Sequence, residues 1–209
     1  MLSATEKASK YLDVLNRPIS LSYIYGEANS PRQREHSMVI NAKDYKKIVK
    51  ATDKQISMLS KADGFSKRDQ ICFRAARDAA MFSDFSRAKL GCVIYYKGSI
   101  IGSGCNSQKT DPIQMKYNSY REFNNPEQYS PHKHGIHAEI AAIKSVKKPN
   151  EVKWSKAKLY VFRVGANLHN CQGLAKPCPA CSHFIQDKGI KTIFYTDVEG
   201  FTKAIVLDD

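Results

Sequence analysis

The sequence has no apolar stretch approaching the roughly 18 to 20 residues that a membrane-spanning helix needs. Its first residues, MLSATEKASKYLDVL, hold no apolar run suited to a secretory signal. The reading therefore excludes a membrane partner, and the expected location is cytoplasmic. No internal repeat and no low-complexity tract interrupts the chain. Acidic residues are scarce, with 20 Asp and Glu against 33 Lys and Arg, a formal net charge of +13. That excess favours anionic partners such as phosphates, nucleotides or nucleic acid. A merely solvated basic surface is the competing reading, because the charges are spread along the chain without a dense block. Six cysteines are present, but without a secretory context they read as core thiols and metal ligands, not as a disulfide framework.

What is there is enough for a folded protein. The 209 residues, 42% of them hydrophobic, allow one ample domain with an appendage. Residues 1–65 read as a mainly helical N-terminal appendage. Ser3 to Asn16 suits a short helix stopped by Pro18. Asn41 to Ala62 suits a longer one, with Tyr45, Ile48, Val49, Thr52, Ile56 and Leu59 on one stripe, a packing face. The second part, residues 66–209, opens with Ser66 as the N-cap of a helix reaching about Phe82, its inner side expected at Ile71, Ala75, Ala79 and Phe82. Two apolar runs then flank Lys97-Gly98, a hairpin signal. A helix starts near His137, KLYVFRV is a strand, PACSHFIQDKG suggests a helix stopped at Gly189, and KTIFYTD is the next strand. Only VEGFTKAIVLDD remains after it. A parallel crossover needs about a dozen residues or more, so an antiparallel return through Phe201 to Leu207 is expected. The order predicts a three-layer α/β/α domain around a central mixed sheet.

The strongest signal is His137-Ala138-Glu139 followed by Pro177-Cys178-Pro179-Ala180-Cys181. Two cysteines three apart at a helix start put both sulfurs on one turn, facing one ion. The helix N-terminus favours thiolate over thiol. One imidazole from a second helix makes three protein ligands for Zn2+ and leaves the fourth tetrahedral position to water, whose pKa zinc lowers toward neutrality. Glu139 lies two residues from His137, off the ligand direction, where it can take a proton from water and return it to a substrate nitrogen. The competing reading is a structural zinc with Glu139 at the surface. It wants a fourth ligand, which His169 or Cys171 could supply.

The metal pattern is the H-x-E then P-C-x-x-C signature of zinc deaminases. HAEIAAI, KPCPACSHFIQDKGIKTIFYTD and GCVIYYKGSIIGSGCNS together resemble the cytidine/deoxycytidylate deaminase superfamily, closest to deoxycytidylate deaminase-like proteins, from Ser66 to the C-terminus. The resemblance implies that the segment Gly102-Ser103-Gly104-Cys105-Asn106 brings Asn106 to the sugar of a substrate; alone it reads as a turn. Ala138, between ligand and carboxylate, falls at the substrate as well. Relatives commonly self-associate, so a homo-oligomer is implied.

Three features depart from the family pattern. Residues 107–135 are longer than a minimal deaminase needs and carry Lys116, Tyr117, Tyr120, Arg121, Phe123 and His132-Lys133-His134. They read as a lid, with Tyr120 stacking on a base and Arg121 meeting phosphate, or else as an ordinary loop. Some relatives hold an extra zinc here, but this insert lacks cysteine. GANLHNCQGLA lengthens the approach to Lys176, which either meets a substrate phosphate or is plain surface. The antiparallel last strand differs from the parallel one usual in the deoxycytidylate and polynucleotide branches. The leading expectation is hydrolytic deamination of a cytosine-type nucleotide or nucleoside, deoxycytidylate-like, to the uracil form and ammonia. The alternatives are a polynucleotide deaminase acting on cytosine in single-stranded DNA or adenosine in RNA, and a non-catalytic zinc module that binds nucleic acid.

Overall fold

In the computed structural model, residues 42–85, 88–121, 135–164, 173–198 and 200–205 are described. The expected helix over Ser3 to Asn16, the histidines at 132 and 134, and His169 and Cys171 lie outside them. Helix α1 spans Ala42–Met58 and α2 spans Lys67–Ala80. Strands β1 (Lys89–Tyr96) and β2 (Ser99–Cys105) follow, then the short helices α3 (Pro112–Tyr117) and α4 (Ala138–Lys144). β3 (Lys158–Val164), α5 (Pro179–Asp187), β4 (Thr192–Asp197) and β5 (Gly200–Ile205) complete the domain.

The strands form one mixed sheet in the order β2-β1-β3-β4-β5. Only β3 and β4 run parallel; the other neighbours are antiparallel. The return into β5 pairs Asp197 with Gly200 and Thr192 with Ile205, as the short C-terminal remainder requires. Lys97 and Gly98 both take positive φ, 45° and 96°, which suits the twist of a two-residue hairpin.

The inner strands are apolar on both faces because both are covered. Val93, Tyr95, Tyr160, Phe162 and Phe194 meet α1 and α2 through Ile48, Ile56 and Phe73. Cys92, Ile94, Leu159, Val161 and Ile193 meet α4 and α5 through Ile140, Ile143, Phe184 and Ile185. The result is a three-layer α/β/α domain, as the element order predicts. The stripe of α1 is a packing face, although Tyr45 turns 40% outward.

The inner face of α2 corrects the sequence expectation in part: Ala79 is buried and Ala75 half-buried, as expected. Ile71 and Phe82 are exposed, at 40% and 41%, whereas Cys72, Phe73, Ala76 and Ala80 are buried. The reason is the distance of closest approach. A Cβ on Gly91 would stand 2.0 Å from the Ala76 carbonyl oxygen and 2.3 Å from the Ala80 nitrogen. The helix lies against bare strand backbone, and only a face of small residues allows that. Ser66 does cap α2. Its hydroxyl accepts from the Asp69 N–H while the Asp69 carboxylate accepts from the Ser66 N–H at 2.6 Å.

The same device sets α4 on β2. Gly102 and Gly104 are strand residues, not a turn. A Cβ on Gly104 would come within 2.5 Å of the Ala142 nitrogen and 2.7 Å of the Ala141 Cβ. Gly104→Ala is therefore expected to push away the helix that follows His137. Overpacking of this kind costs about 1–3 kcal/mol. A urea titration should show an earlier midpoint with unchanged slope; a midpoint equal to that of the unaltered chain would refute the close packing.

Candidate metal centre and cleft

His137 and Cys178 are both N-cap residues in extended conformation, at φ −84° and −69°. Each ends a run that the sheet fixes in place. Ser107 N–H donates to the Ile136 carbonyl and Ile136 N–H to the Lys109 carbonyl, at 3.0 and 2.9 Å, which carries the chain from the end of β2 to His137. On the other side Ala175 N–H donates to the Thr196 carbonyl at 2.8 Å, and this anchors the approach to Cys178 alongside β4. Pro179 opens α5, where its missing N–H costs nothing. Cys181 then falls one turn on, fully buried.

His137 Nδ1 stands 3.4 Å from Cys178 Sγ and 3.3 Å from Cys181 Sγ. All three donor atoms lie within 4.8 Å of one another. Tetrahedral zinc with nitrogen and thiolate ligands separates neighbouring donors by about 3.5 Å, so one imidazole and two sulfurs in this arrangement fit that ion. Glu139 is 3% exposed, in the first turn of α4. The titratable groups of the cluster shift one another. Hydrogen bonding from Cys181 and His137 brings the Cys178 thiol down to about 4, against the opposing effect of burial. That same bond, together with burial and the charge of Glu139, drives Cys181 up. Burial works against a charged His137, yet its hydrogen bond to Cys178 and the charge of Glu139 prevail and raise it. Burial also raises Glu139, with His137 opposing.

A cleft of about 580 Å³ opens beside the cluster, lined by Tyr120, Arg121, Cys178 and Pro179. The Tyr120 ring is half exposed and stacks on His183 with centroids 3.8 Å apart. Lys176 is exposed, two residues before Cys178. Ala138 is fully buried. Asn106 is 9% exposed and engaged with backbone at both ends of its amide: Oδ1 accepts from Leu90 N–H and Nδ2 donates to the Ala88 carbonyl, each at 2.8 Å. One Nδ2 hydrogen is left over by that pattern.

Sequence reasoning missed the bracket built by α3. Asp111 caps this helix through the N–H groups of Ile113 and Gln114, and its carboxylate pairs with Lys144 at the end of α4. Gln114 is fully buried; its Oε1 accepts from His137 N–H at 2.9 Å and its Nε2 donates to Asn118 Oδ1 at 2.8 Å. Tyr117 donates its hydroxyl hydrogen to Asp187 at the end of α5. The segment expected as a lid thus begins as a strut between the two helices that carry the cluster. The available signal was Asp111-Pro112, a helix start, followed by Gln114 and Asn118 four apart on one face.

Among curated proteins no relative of this chain was found. Several solved structures are similar to it. The dCMP deaminase from the cyanophage S-TIM5 in apo form is 21% identical over 64% of this chain and 86% of its own, with a TM-score of 0.40. The same enzyme in complex with dCMP and dUMP is 22% identical over 63% of this chain and 82% of its own, with a TM-score of 0.40. The cytidine deaminase from Burkholderia pseudomallei is 16% identical over 68% and 94%, with a TM-score of 0.42. Residues 66–197, more than half of the chain, match the model of the cytidine and deoxycytidylate deaminase zinc-binding region. With the motif, the donor cluster and this match in agreement, the chain belongs to the cytidine and deoxycytidylate deaminase family.

Proposed function

We propose that the protein is a zinc-dependent hydrolase that deaminates a cytosine-type nucleotide or nucleoside, with a deoxycytidylate-like substrate, to the uracil form and ammonia. The observation that carries this reading is the placement of a buried carboxyl, Glu139, beside a His-Cys-Cys donor set at the edge of an open cleft. His137, Cys178 and Cys181 hold the zinc, which when bound supplies a Lewis acid that makes hydroxide available at neutral pH. Glu139 would accept the proton of the attacking water and pass it to the ring nitrogen, then take the proton of the hydroxyl newly bonded to the ring carbon and pass it to the amine, which leaves as ammonia as the C–N bond breaks. Its burial excludes bulk water from that exchange. A dCMP-like substrate also suits Arg121, which lines the cleft, and exposed Lys176, two residues before Cys178, as phosphate partners. Asn106 offers its remaining N–H toward a sugar hydroxyl. The polynucleotide reading draws support from the exposed ring of Tyr120, a surface on which a neighbouring base can stack.

The deciding experiment measures ammonia release from dCMP, deoxycytidine, cytidine and cytosine- or adenosine-containing oligonucleotides, on protein whose zinc content has been determined. Turnover of the free nucleotide with about one zinc per chain is expected. Turnover of oligonucleotides alone moves the assignment to the polynucleotide reading, and zinc-loaded protein inactive on every one of these substrates defeats the catalytic reading.

The cleft makes a further demand. Replacing Tyr120 and Arg121 together by alanine should raise KM for the true substrate by about fivefold or more, since ring stacking and a phosphate contact each contribute on the order of 1 kcal/mol or more. Steady-state kinetics of the double variant test it, and unchanged kinetics would remove both residues from substrate binding.

A further inference from the structure

The opposite end of the sheet gathers positive charge. β1 runs from Lys89, paired with Val164 near the cleft, to Tyr95, paired with Lys158. Six residues of strand separate these ends by about 20 Å. Around Tyr96 the chain brings together residues of the β1–β2 turn and of the connection into β3. Lys97 Nζ, on the β1–β2 turn, lies 5.3 Å from the Tyr96 ring centroid. Lys153 N–H, in the connection into β3, donates to the Tyr96 hydroxyl at 3.2 Å, and the charge of Lys156 acts on that same hydroxyl.

Lys97, Lys153 and Lys156 are exposed. None of the three forms an ion pair with another described residue. Glu151, on the same connection, is matched by Lys148 at 2.9 Å. The fold thus gathers three cations around Tyr96 without supplying their counter-charges, and a polyanion would relieve their mutual repulsion. Between Lys153 and Lys156 in the chain stands Trp154, the single tryptophan of the protein, half-buried. Trp154 packs against the core, and the cations flanking it are of the kind that track a phosphate backbone.

We propose that this face docks single-stranded nucleic acid through its phosphate backbone, remote from the cleft. The docking does not depend on deamination. It would hold a polyanion on the protein whatever the cleft takes.

The test uses the full chain and oligothymidylate of about 20 nucleotides, longer than a typical single-fold footprint, which carries no amino base for the cleft. Binding is read by quenching of Trp154 fluorescence and by anisotropy of an end-labelled oligomer across a salt series. The triple variant Lys97→Asn, Lys153→Gln, Lys156→Gln removes three charges, with Asn suited to the positive φ at 97. It should weaken binding at least tenfold at low salt and flatten the log–log salt slope by about 2. If it does not fold, the pair Lys153→Gln, Lys156→Gln should flatten the slope by about 1. The control Lys46→Gln, Lys47→Gln, Lys50→Gln removes the same charge from exposed positions on α1 and should leave Trp154 quenching in place. An equal loss in that control, an unchanged triple variant, or binding only to phosphatidylserine vesicles would each overturn the proposal. Absence of deamination in the unaltered protein would defeat the catalytic reading and leave this one standing.

Discussion

Glu139→Gln is expected to retain zinc and fold while losing at least about a hundred-fold in turnover. Hydrolytic deamination needs one group that is base to water and then acid to nitrogen within a single cycle. Positioned proton transfer of this kind contributes about a hundred- to ten-thousand-fold in rate. Among the described residues, Glu139 is the carboxyl that belongs to the donor cluster: its charge acts on both His137 and Cys181. It is 3% exposed, so no bulk water substitutes for it at the same place. Glutamine keeps the shape and the hydrogen-bonding reach but cannot carry the proton. The loss should therefore fall on kcat, with KM little changed. Zinc content, thermal melting and turnover are measured on one preparation. Cys178→Ser with Cys181→Ser supplies the contrast, because it should lose metal and activity together. A zinc-loaded, stable Glu139→Gln protein with near-normal turnover would mean that another residue moves the protons.

The donor cluster of His137, Cys178 and Cys181 was legible because metal chemistry imposes a spacing. Two sulfurs on one helical turn need Cys-x-x-Cys whatever the surrounding fold, and His137 and Cys178 both sit where a helix begins. The fifth strand was legible for a similar reason: too little chain follows Asp197 for a crossover, so the return had to be antiparallel. The inner face of α2 was not. Periodicity counts large apolar side chains as core, and it chose Ile71 and Phe82. The sheet instead required Ala76 and Ala80 at Gly91, a demand set by a strand that pairs in space and not in sequence. Gly104 belongs to the same class. Its role against Ala141 and Ala142 depends on a helix nearly forty residues later. The insert was legible only in outline. Its rings and cations pointed to the cleft mouth, where Tyr120 and Arg121 do lie. Its buried amide pair, Gln114 and Asn118, carries no charge and follows no metal pattern, so nothing in the composition singled it out.

That amide pair leads to the second large effect. Gln114→Leu is expected to weaken zinc binding by about tenfold or more while leaving all three ligands in place. Partners that orient metal ligands typically contribute about 10- to 100-fold in metal affinity. Gln114 does so through the backbone: its Oε1 accepts the His137 N–H at 2.9 Å, just where the chain turns into α4 and the imidazole must face two sulfurs 3.3 and 3.4 Å away. Its other end is held by Asn118, and Asp111 and Tyr117 of the same helix reach α4 and α5. Leucine fills similar volume but offers no acceptor, so the His137 N–H is left buried and unpaired, at about 1–3 kcal/mol. Gln114→Glu keeps an acceptor oxygen and should recover part of the affinity. The measurement is zinc dissociation by chelator competition, set beside thermal melting of the metal-free protein. A role confined to packing would lower the melting temperature of Gln114→Leu and Gln114→Glu alike, with zinc affinity unchanged in both. An orienting role separates the two variants in zinc affinity. Identical zinc dissociation constants for Gln114→Leu and the unaltered chain would show that α3 braces the helices without setting the metal site.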